Sequence, residues 1–224
     1  MNKTNEKMRA VLVGIAGSNN AFSLSVYNLK AFAYNDSETR KDWDIEVIQS
    51  PLIGLFKRDE LLSDLTEKIA LNEPNLVGFS CYMWNIEVVL KIAKKLRKRL
   101  PDLQILIGGP EIATEYVQQS YFDKHAVDYC ISGEGELTFF ELLQNLKRSK
   151  PALKNIPGLA YRSKKNMPFT VNTKRLPFKS LSYVPSPYLK GIVDEEVLAR
   201  NDVEANLETQ RGCNLRCTYC KYHK

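Results

Sequence analysis

The chain has 224 residues, 44% hydrophobic and 26% charged, with a formal net charge of +6. That is the balance of a soluble globular protein with enough apolar residues for a real core, and the length suits one full domain and part of a second. A transmembrane helix would need an apolar run of about eighteen residues, and a signal peptide a longer apolar stretch than "AVLVGIA", so the expected compartment is the cytoplasm.

Taken in chain order, the first part alternates strand and helix patterns with short links. "AVLVGIA" (10–16) is a β-branched apolar run, read as a buried strand, and "AFSLSVYNLKAFAY" (21–34) places Phe22, Val26, Leu29 and Ala33 at helical spacing. "DIEVIQS" is a second strand, followed by the amphipathic helix "RDELLSDLTEKIAL" that Pro74 closes. "NLVGFS" is a third strand. The helix "NIEVVLKIAKKLRKRL" then carries Ile86, Val89, Leu90, Ala93, Leu96 and Leu100 on one face and ends at Pro101. Its basic residues Lys91, Lys94, Lys95, Lys98 and Arg99 read as a solvated face; no aromatics are interleaved with them, which argues against nucleic acid. "QILIGG" is a fourth strand, "TEYVQQSYF" a short helix, "VDYCISG" a fifth strand and "ELTFFELLQNLKR" a fifth helix.

Continuous apolar strands alternating with helices give a parallel sheet covered on both faces. Right-handed crossovers make the expected class α/β, a doubly wound five-stranded sheet in the flavodoxin-like order 2-1-3-4-5 over residues 8–150. Residues 151–200 then hold a hairpin, "GLAYRSKKNMPFTVN", with its turn at Lys164–Asn166, and a proline-punctuated linker, "TKRLPFKSLSYVPSPYLKG". In 201–224 "DVEANLETQRGC" reads as a new strand running into a cysteine cluster.

Ligands of doubly wound sheets bind beyond the carboxyl ends of the strands. The segments there are "GSNNAF", "SCYMWN", "GGPE" and "SGEGE". Ser80 offers a small hydroxyl at the end of a strand. Gly108 and Gly109 permit close backbone approach, although a glycine pair after a strand also serves as a plain turn. Gly133, Glu134 and Gly135 begin a helix whose free N–H groups suit a phosphate or ribose, or are simply a helix start. His125 reads as a loop residue, and no Ser/His/Asp set, H-E-x-x-H or Walker-type loop is present.

The strongest signal is chemical. Of five cysteines, Cys81 and Cys130 lie in strand contexts as buried thiols, while Cys213, Cys217 and Cys220 are spaced C-x3-C-x2-C. Three thiolates on one loop can hold three corners of a [4Fe–4S] cube and leave one iron open. The same residues with His223 would make a Cys3His zinc set, although structural zinc usually draws its ligands from two loops. "CTYC" alone matches a thioredoxin-type pair, without the helix context and with Cys213 unexplained.

"CNLRCTYC", preceded by "ETQRG", resembles the signature of radical S-adenosylmethionine enzymes. The resemblance implies that Cys213, Cys217 and Cys220 ligate a [4Fe–4S] cluster whose open iron chelates S-adenosylmethionine, and that Tyr219 packs near the adenine. "NLVGFSCYMWN", "LIGGPE" and "VDYCISGEGELTFFELL" resemble the cobalamin-binding domain of B12-dependent members, and "IPGLAYR" and "VPSPYL" their interdomain connector. By that resemblance Ser80 takes the family's Ser-x-Leu position against the dimethylbenzimidazole tail, with Tyr82 in the leucine place. The loop after the first strand, "GSNNAFSLSVYNLKAF", has no histidine, since the only ones are His125 and His223. This implies base-off cobalamin without a histidine ligand, as in class B radical methyltransferases. Tyr82 and Trp84 would cover the lower face, although Trp84 also reads as an ordinary core aromatic.

The function so implied is methyl transfer to an unactivated carbon through a 5′-deoxyadenosyl radical. The substrate would be a small molecule or peptide, and the electron donor a flavodoxin or ferredoxin. The competing readings are a cyclisation or rearrangement by the same cofactors, a non-catalytic cobalamin module, and a cofactor-free interaction domain. Methylthiolation of RNA fits less well, because those N-terminal domains supply three cluster-binding cysteines. The cysteine loop is expected to be the first loop of a (β/α) barrel lying largely outside these 224 residues, which alone would hold the cluster poorly.

Overall fold

The first apolar run forms β1 (Met8–Ala16), buried from Ala10 onward. The computed structural model describes residues 6–52, 58–114, 117, 122, 126–165, 167–213, 215 and 217–220. After β1 come α1 (Leu24–Ala33), α2 (Ser37–Asp42), β2 (Trp43–Pro51), α3 (Arg58–Leu71), β3 (Leu76–Ser80), α4 (Ile86–Arg99), β4 (Gln104–Gly108), β5 (Tyr129–Ile131) and α5 (Glu136–Leu146). These five strands pair in parallel in the order β2-β1-β3-β4-β5, the doubly wound arrangement expected of the α/β pattern. The short helix expected over 114–122 and the loop histidine His125 fall mostly or wholly outside the described residues. The sequence pattern gives no sign of α2, because "SETRKD" has no apolar periodicity. It forms around an N-cap, with Asp36 Oδ2 accepting the Thr39 N–H at 2.7 Å.

Strand alternation sorts the core into two layers. Val11, Val13 and Ile15 of β1, Val77 and Phe79 of β3, and Ile105 and Ile107 of β4 meet Leu62, Leu65 and Ile69 of α3 and Val89, Ile92 and Leu96 of α4. On the other face Ala10, Leu12, Leu76, Leu106, Tyr129 and Ile131 meet Val26 and Tyr27 of α1 and Phe139, Leu142 and Leu143 of α5. Trp43, 1% exposed, closes that second layer and donates its indole N–H to the Leu143 carbonyl at 3.2 Å. The basic residues of α4 singled out above are all exposed, and Arg99 forms a two-pronged ion pair with Glu67 on α3.

The sheet continues beyond residue 150. The hairpin β6 (Leu159–Tyr161) and β7 (Thr170–Val171) is antiparallel and joins the β5 edge, giving seven strands among the described residues. An open β5 edge would leave backbone donors and acceptors unpaired, and the hairpin covers them. Arg162 fastens it, donating to the carbonyls of Val127 at 2.9 Å and Phe122 at 2.7 Å, with the Phe169 ring 4.2 Å from its guanidinium carbon. A 3-10 turn (Leu153–Asn155) precedes the hairpin, and a second (Leu181–Tyr183) and α6 (Glu195–Leu198) follow it. The strand read over 202–213 has no ladder among the described residues. A β-type pattern becomes a strand only beside a partner strand, and here side-chain bonds to the loops hold the segment instead. No helix among the described residues is long and apolar enough to cross a membrane.

Leu12 is fully buried between β3, β4 and the α1/α5 layer. Leu12→Ala should cost about 3 kcal/mol of unfolding free energy, read as a lowered urea midpoint at unchanged slope.

Candidate functional site

The parallel register aligns one row of residues across the carboxyl edge: Gln49 of β2, Gly14 of β1, Ser80 of β3, Gly108 of β4 and Ile131 of β5. Two of the candidate residues, Ser80 and Gly108, are therefore direct neighbours, and Gly14 flanks Ser80 on its other side. A side chain at Gly14 would put its Cβ 2.4 Å from Ser23 Cβ, so glycine there lets the start of α1 descend onto the sheet. The contact is pinned by a two-way amide pairing: the Ser23 N–H donates to Gln49 Oε1 at 2.9 Å, and Gln49 Nε2 donates to the Ser23 carbonyl at 3.0 Å. Ser80 itself is 7% exposed. Its hydroxyl meets Ser25 Oγ at 2.8 Å, which meets Ser23 Oγ at 3.0 Å, a chain of three hydroxyls between β3 and α1.

The loop after β3 carries an aromatic plate. Tyr82 and Trp84 stack with ring centroids 4.5 Å apart and planes 7° from parallel. Trp84 is 44% exposed and Met83 80% exposed, so Trp84 is not the enclosed core aromatic that its type alone allows. A Cβ at Gly17, after β1, would lie 3.7 Å from the Trp84 indole. Asn85, wholly buried, shapes this loop: it accepts the Tyr82 N–H at 2.8 Å and donates to the carbonyls of Ile15 and Ser80, each at 3.0 Å. Next to it, Gly109 adopts φ +111°, and a Cβ there would sit 2.7 Å from the Cys81 carbonyl oxygen. The loops after β3 and β4 lock together at this point, with the Cys81 N–H donating to Gly108 at 2.6 Å and the Glu111 N–H to Cys81 at 3.2 Å. Burial pushes the Cys81 thiol well above the usual range, which leaves it an inert packing group.

Gly133, Glu134 and Gly135 form the turn from β5 into α5, with Gly135 at the N-cap. The Glu134 carboxylate accepts the Phe178 N–H at 2.7 Å, so the linker is drawn against this turn. The rest of the linker returns along the same edge. Asp194 accepts the Tyr27 hydroxyl at 2.6 Å; Arg200 donates to the Asn19 carbonyl at 3.0 Å; Glu204 exchanges a backbone and a side-chain bond with Asn20 at 2.8 and 2.9 Å. Asn206 then donates to the Phe22 carbonyl at 3.3 Å. The chain thus reaches the cysteines after crossing the loop that follows β1. Cys213 is exposed, and Cys217 and Cys220 are half-buried. The Cys220 N–H donates to the Cys217 carbonyl at 3.1 Å, and Tyr219 is 89% exposed. Among the described residues no three His, Cys, Asp or Glu side chains converge as a metal set; His223 lies outside them. The three thiols suit iron–sulfur chemistry by type. Ser23, Ser25, Gln49, Asn85 and Arg211 belong to this region but were not singled out from the sequence. Only Ser23 and Asn85, polar residues directly before helices, carried a local signal.

The B12-binding domain family matches residues 39–143. The chain carries a B12-binding domain. The match covers β3, β4 and β5 with the loops that hold Ser80, the aromatic plate and the glycine turns. The chain is 30% identical over 199 residues to the cobalamin-dependent radical SAM methyltransferase TokK of Streptomyces tokunonensis, covering 87% of this chain and 27% of that protein. It is 27% identical over 164 residues to the hopanoid C-3 methylase of Methylococcus capsulatus, covering 70% of this chain and 30% of that one. The fold is shared with the cobalamin-dependent S-adenosylmethionine radical enzyme OxsB, with a TM-score of 0.59 at 18% identity over 96% of this chain and 28% of that chain. The chain therefore spans under a third of the length of these relatives.

Gly109→Ala places a Cβ against the Cys81 backbone at a φ that side chains rarely adopt. It should cost about 2 kcal/mol or more. In hydrogen exchange, the loops after β3 and β4 should loosen while β1 stays protected.

Proposed function

We propose that this chain is the corrin-binding part, together with the cluster-binding loop, of a cobalamin-dependent radical S-adenosylmethionine enzyme that methylates an unactivated carbon. The observation that carries the corrin assignment is the Tyr82–Trp84 stack at the carboxyl edge, Trp84 exposed and Tyr82 half-buried, in the loop that follows the buried Ser80. A flat apolar surface next to a polar wall suits a large planar macrocycle with a polar tail. Ser80, Gly108, Gly109 and the Gly133–Gly135 turn would hold the nucleotide tail, and Tyr82 and Trp84 would lie under the ring. No histidine occurs in the loop between β1 and α1, consistent with base-off binding without a histidine ligand.

Cys213, Cys217 and Cys220 would ligate a [4Fe–4S] cluster, and Tyr219 would lie near the adenine of S-adenosylmethionine. When bound, the corrin supplies a transferable methyl group, and the cluster with S-adenosylmethionine supplies a carbon-centred radical. This chain's own contribution is placement. Asn85 and Gly109 fix the plate, and the linker brings the cysteine loop to the same edge. The methyl acceptor is proposed to be a small molecule or peptide, and the reductant a flavodoxin or ferredoxin. The methyltransferase reading is supported by the names of the relatives, and the radical S-adenosylmethionine part of it by the C-x3-C-x2-C spacing.

Titration with hydroxocobalamin, followed by gel filtration, should leave about one equivalent on the protein. Trp84→Ala should weaken retention about tenfold, the loss expected for one stacked aromatic contact. Protein that retains no corrin would overturn the assignment. In reduced, iron-loaded protein that includes the barrel, corrin retention without S-adenosylmethionine cleavage would favour a non-catalytic module, and cleavage without methylated product a cyclisation or rearrangement.

A further inference from the structure

Arg211 stands two residues before Cys213, and its guanidinium meets three carboxylates. It donates to Glu136 through Nη1 at 3.1 Å and Nη2 at 2.5 Å, and to Glu208 through Nε at 2.8 Å and Nη2 at 2.9 Å. Glu134 Oε2 is 3.7 Å from Nη1. The side chains are 16% exposed for Arg211, 7% for Glu136 and 17% for Glu134. This is not a solvated surface pair of the kind that contributes little.

Glu208 lies on the same stretch of chain as Arg211, whereas Glu136 opens α5, 75 positions away in sequence. The planar fork of an arginine can grip both at once, and a lysine could not reproduce that geometry. If Arg211 were removed, the nearly buried Glu136 would be left without its counter-charge.

We infer that Arg211 is a positioning residue that latches the cysteine loop to the first turn of α5, holding the thiols beside the carboxyl edge where the corrin would lie. The inference rests on the cluster assignment for the cysteines, but the latch itself rests on the contacts of Arg211. Glu134 grips the linker from the same turn through the Phe178 N–H. The β5–α5 turn is therefore tied to the returning chain at two points. A shift of that turn would move the loop, and a shift of the loop would move the turn.

The test is hydrogen exchange by mass spectrometry on the intact protein, with iron retained after reconstitution as a second readout. Arg211→Ala should speed exchange across residues 205–220 about tenfold and leave β1, β3 and β4 unchanged. Arg211→Lys should recover only part of the protection, and Glu136→Gln should loosen the same residues less than Arg211→Ala. The double variant should be no looser than Arg211→Ala, because the two side chains act as one unit. Retained iron should fall at least about threefold in Arg211→Ala. Unchanged exchange in residues 205–220, or loosening spread evenly over the sheet, would overturn the latch. Wild-type protein that holds little iron, as expected of these 224 residues alone, with the loop still loosened by Arg211→Ala, would still support the latch, which rests on the exchange readout.

Discussion

Everything at the candidate site depends on the parallel ladder of β3 with its two neighbours. β3 is buried along its whole length, and its register with β1 and β4 sets Ser80 between Gly14 and Gly108. A parallel sheet sends every loop that follows a strand to the same edge. Segments more than ninety residues apart in sequence, from Gly17 to Gly133, thereby become neighbours. A slip of one residue would turn each apolar set to the opposite face, so the two packed layers enforce the register. The hydroxyl, the glycines and the aromatic plate share that edge because the core permits no other alignment.

A second constraint is the polar closure of the loops. Asn85 supplies three hydrogen bonds with no exposed surface, and Gly109 accepts a backbone conformation that side chains disfavour. Together they leave Trp84 exposed, stacked on a half-buried Tyr82. Exposing an indole forgoes its burial, so a loop built rigidly around that exposure is a reason to expect a ligand there. The returning linker adds charge to the same region through Arg211, whose three acidic neighbours come from two separate parts of the chain.

The parts of this arrangement that were legible in the sequence are the local ones. Val- and Ile-rich runs announced the parallel strands, and the face of α4 could be counted from Val89, Ala93 and Leu96. The cysteine spacing carried its chemistry without any structure. What escaped was set by contacts distant in sequence or by partners that composition does not reveal. α2 rests on one aspartate cap, not on periodicity. The hairpin joined the sheet because β5 offered an edge. The strand expected over 202–213 lacked a ladder, and its residues were captured by Asn20, Phe22 and Glu136 instead. The adjacency of Ser80 and Gly108, and the pairing of Arg211 with Glu136, follow only from the folded register.

The central claim is that the carboxyl edge of this sheet seats a corrin over the Tyr82–Trp84 plate. Its most direct test is a cobalt anomalous difference map from crystals grown with cobalamin. A single strong peak should lie beyond the carboxyl ends of β1 and β3, over those two rings, with no histidine within ligating distance. A cobalt peak at another face of the protein, or corrin-bearing crystals with the Tyr82–Trp84 surface left bare, would contradict it.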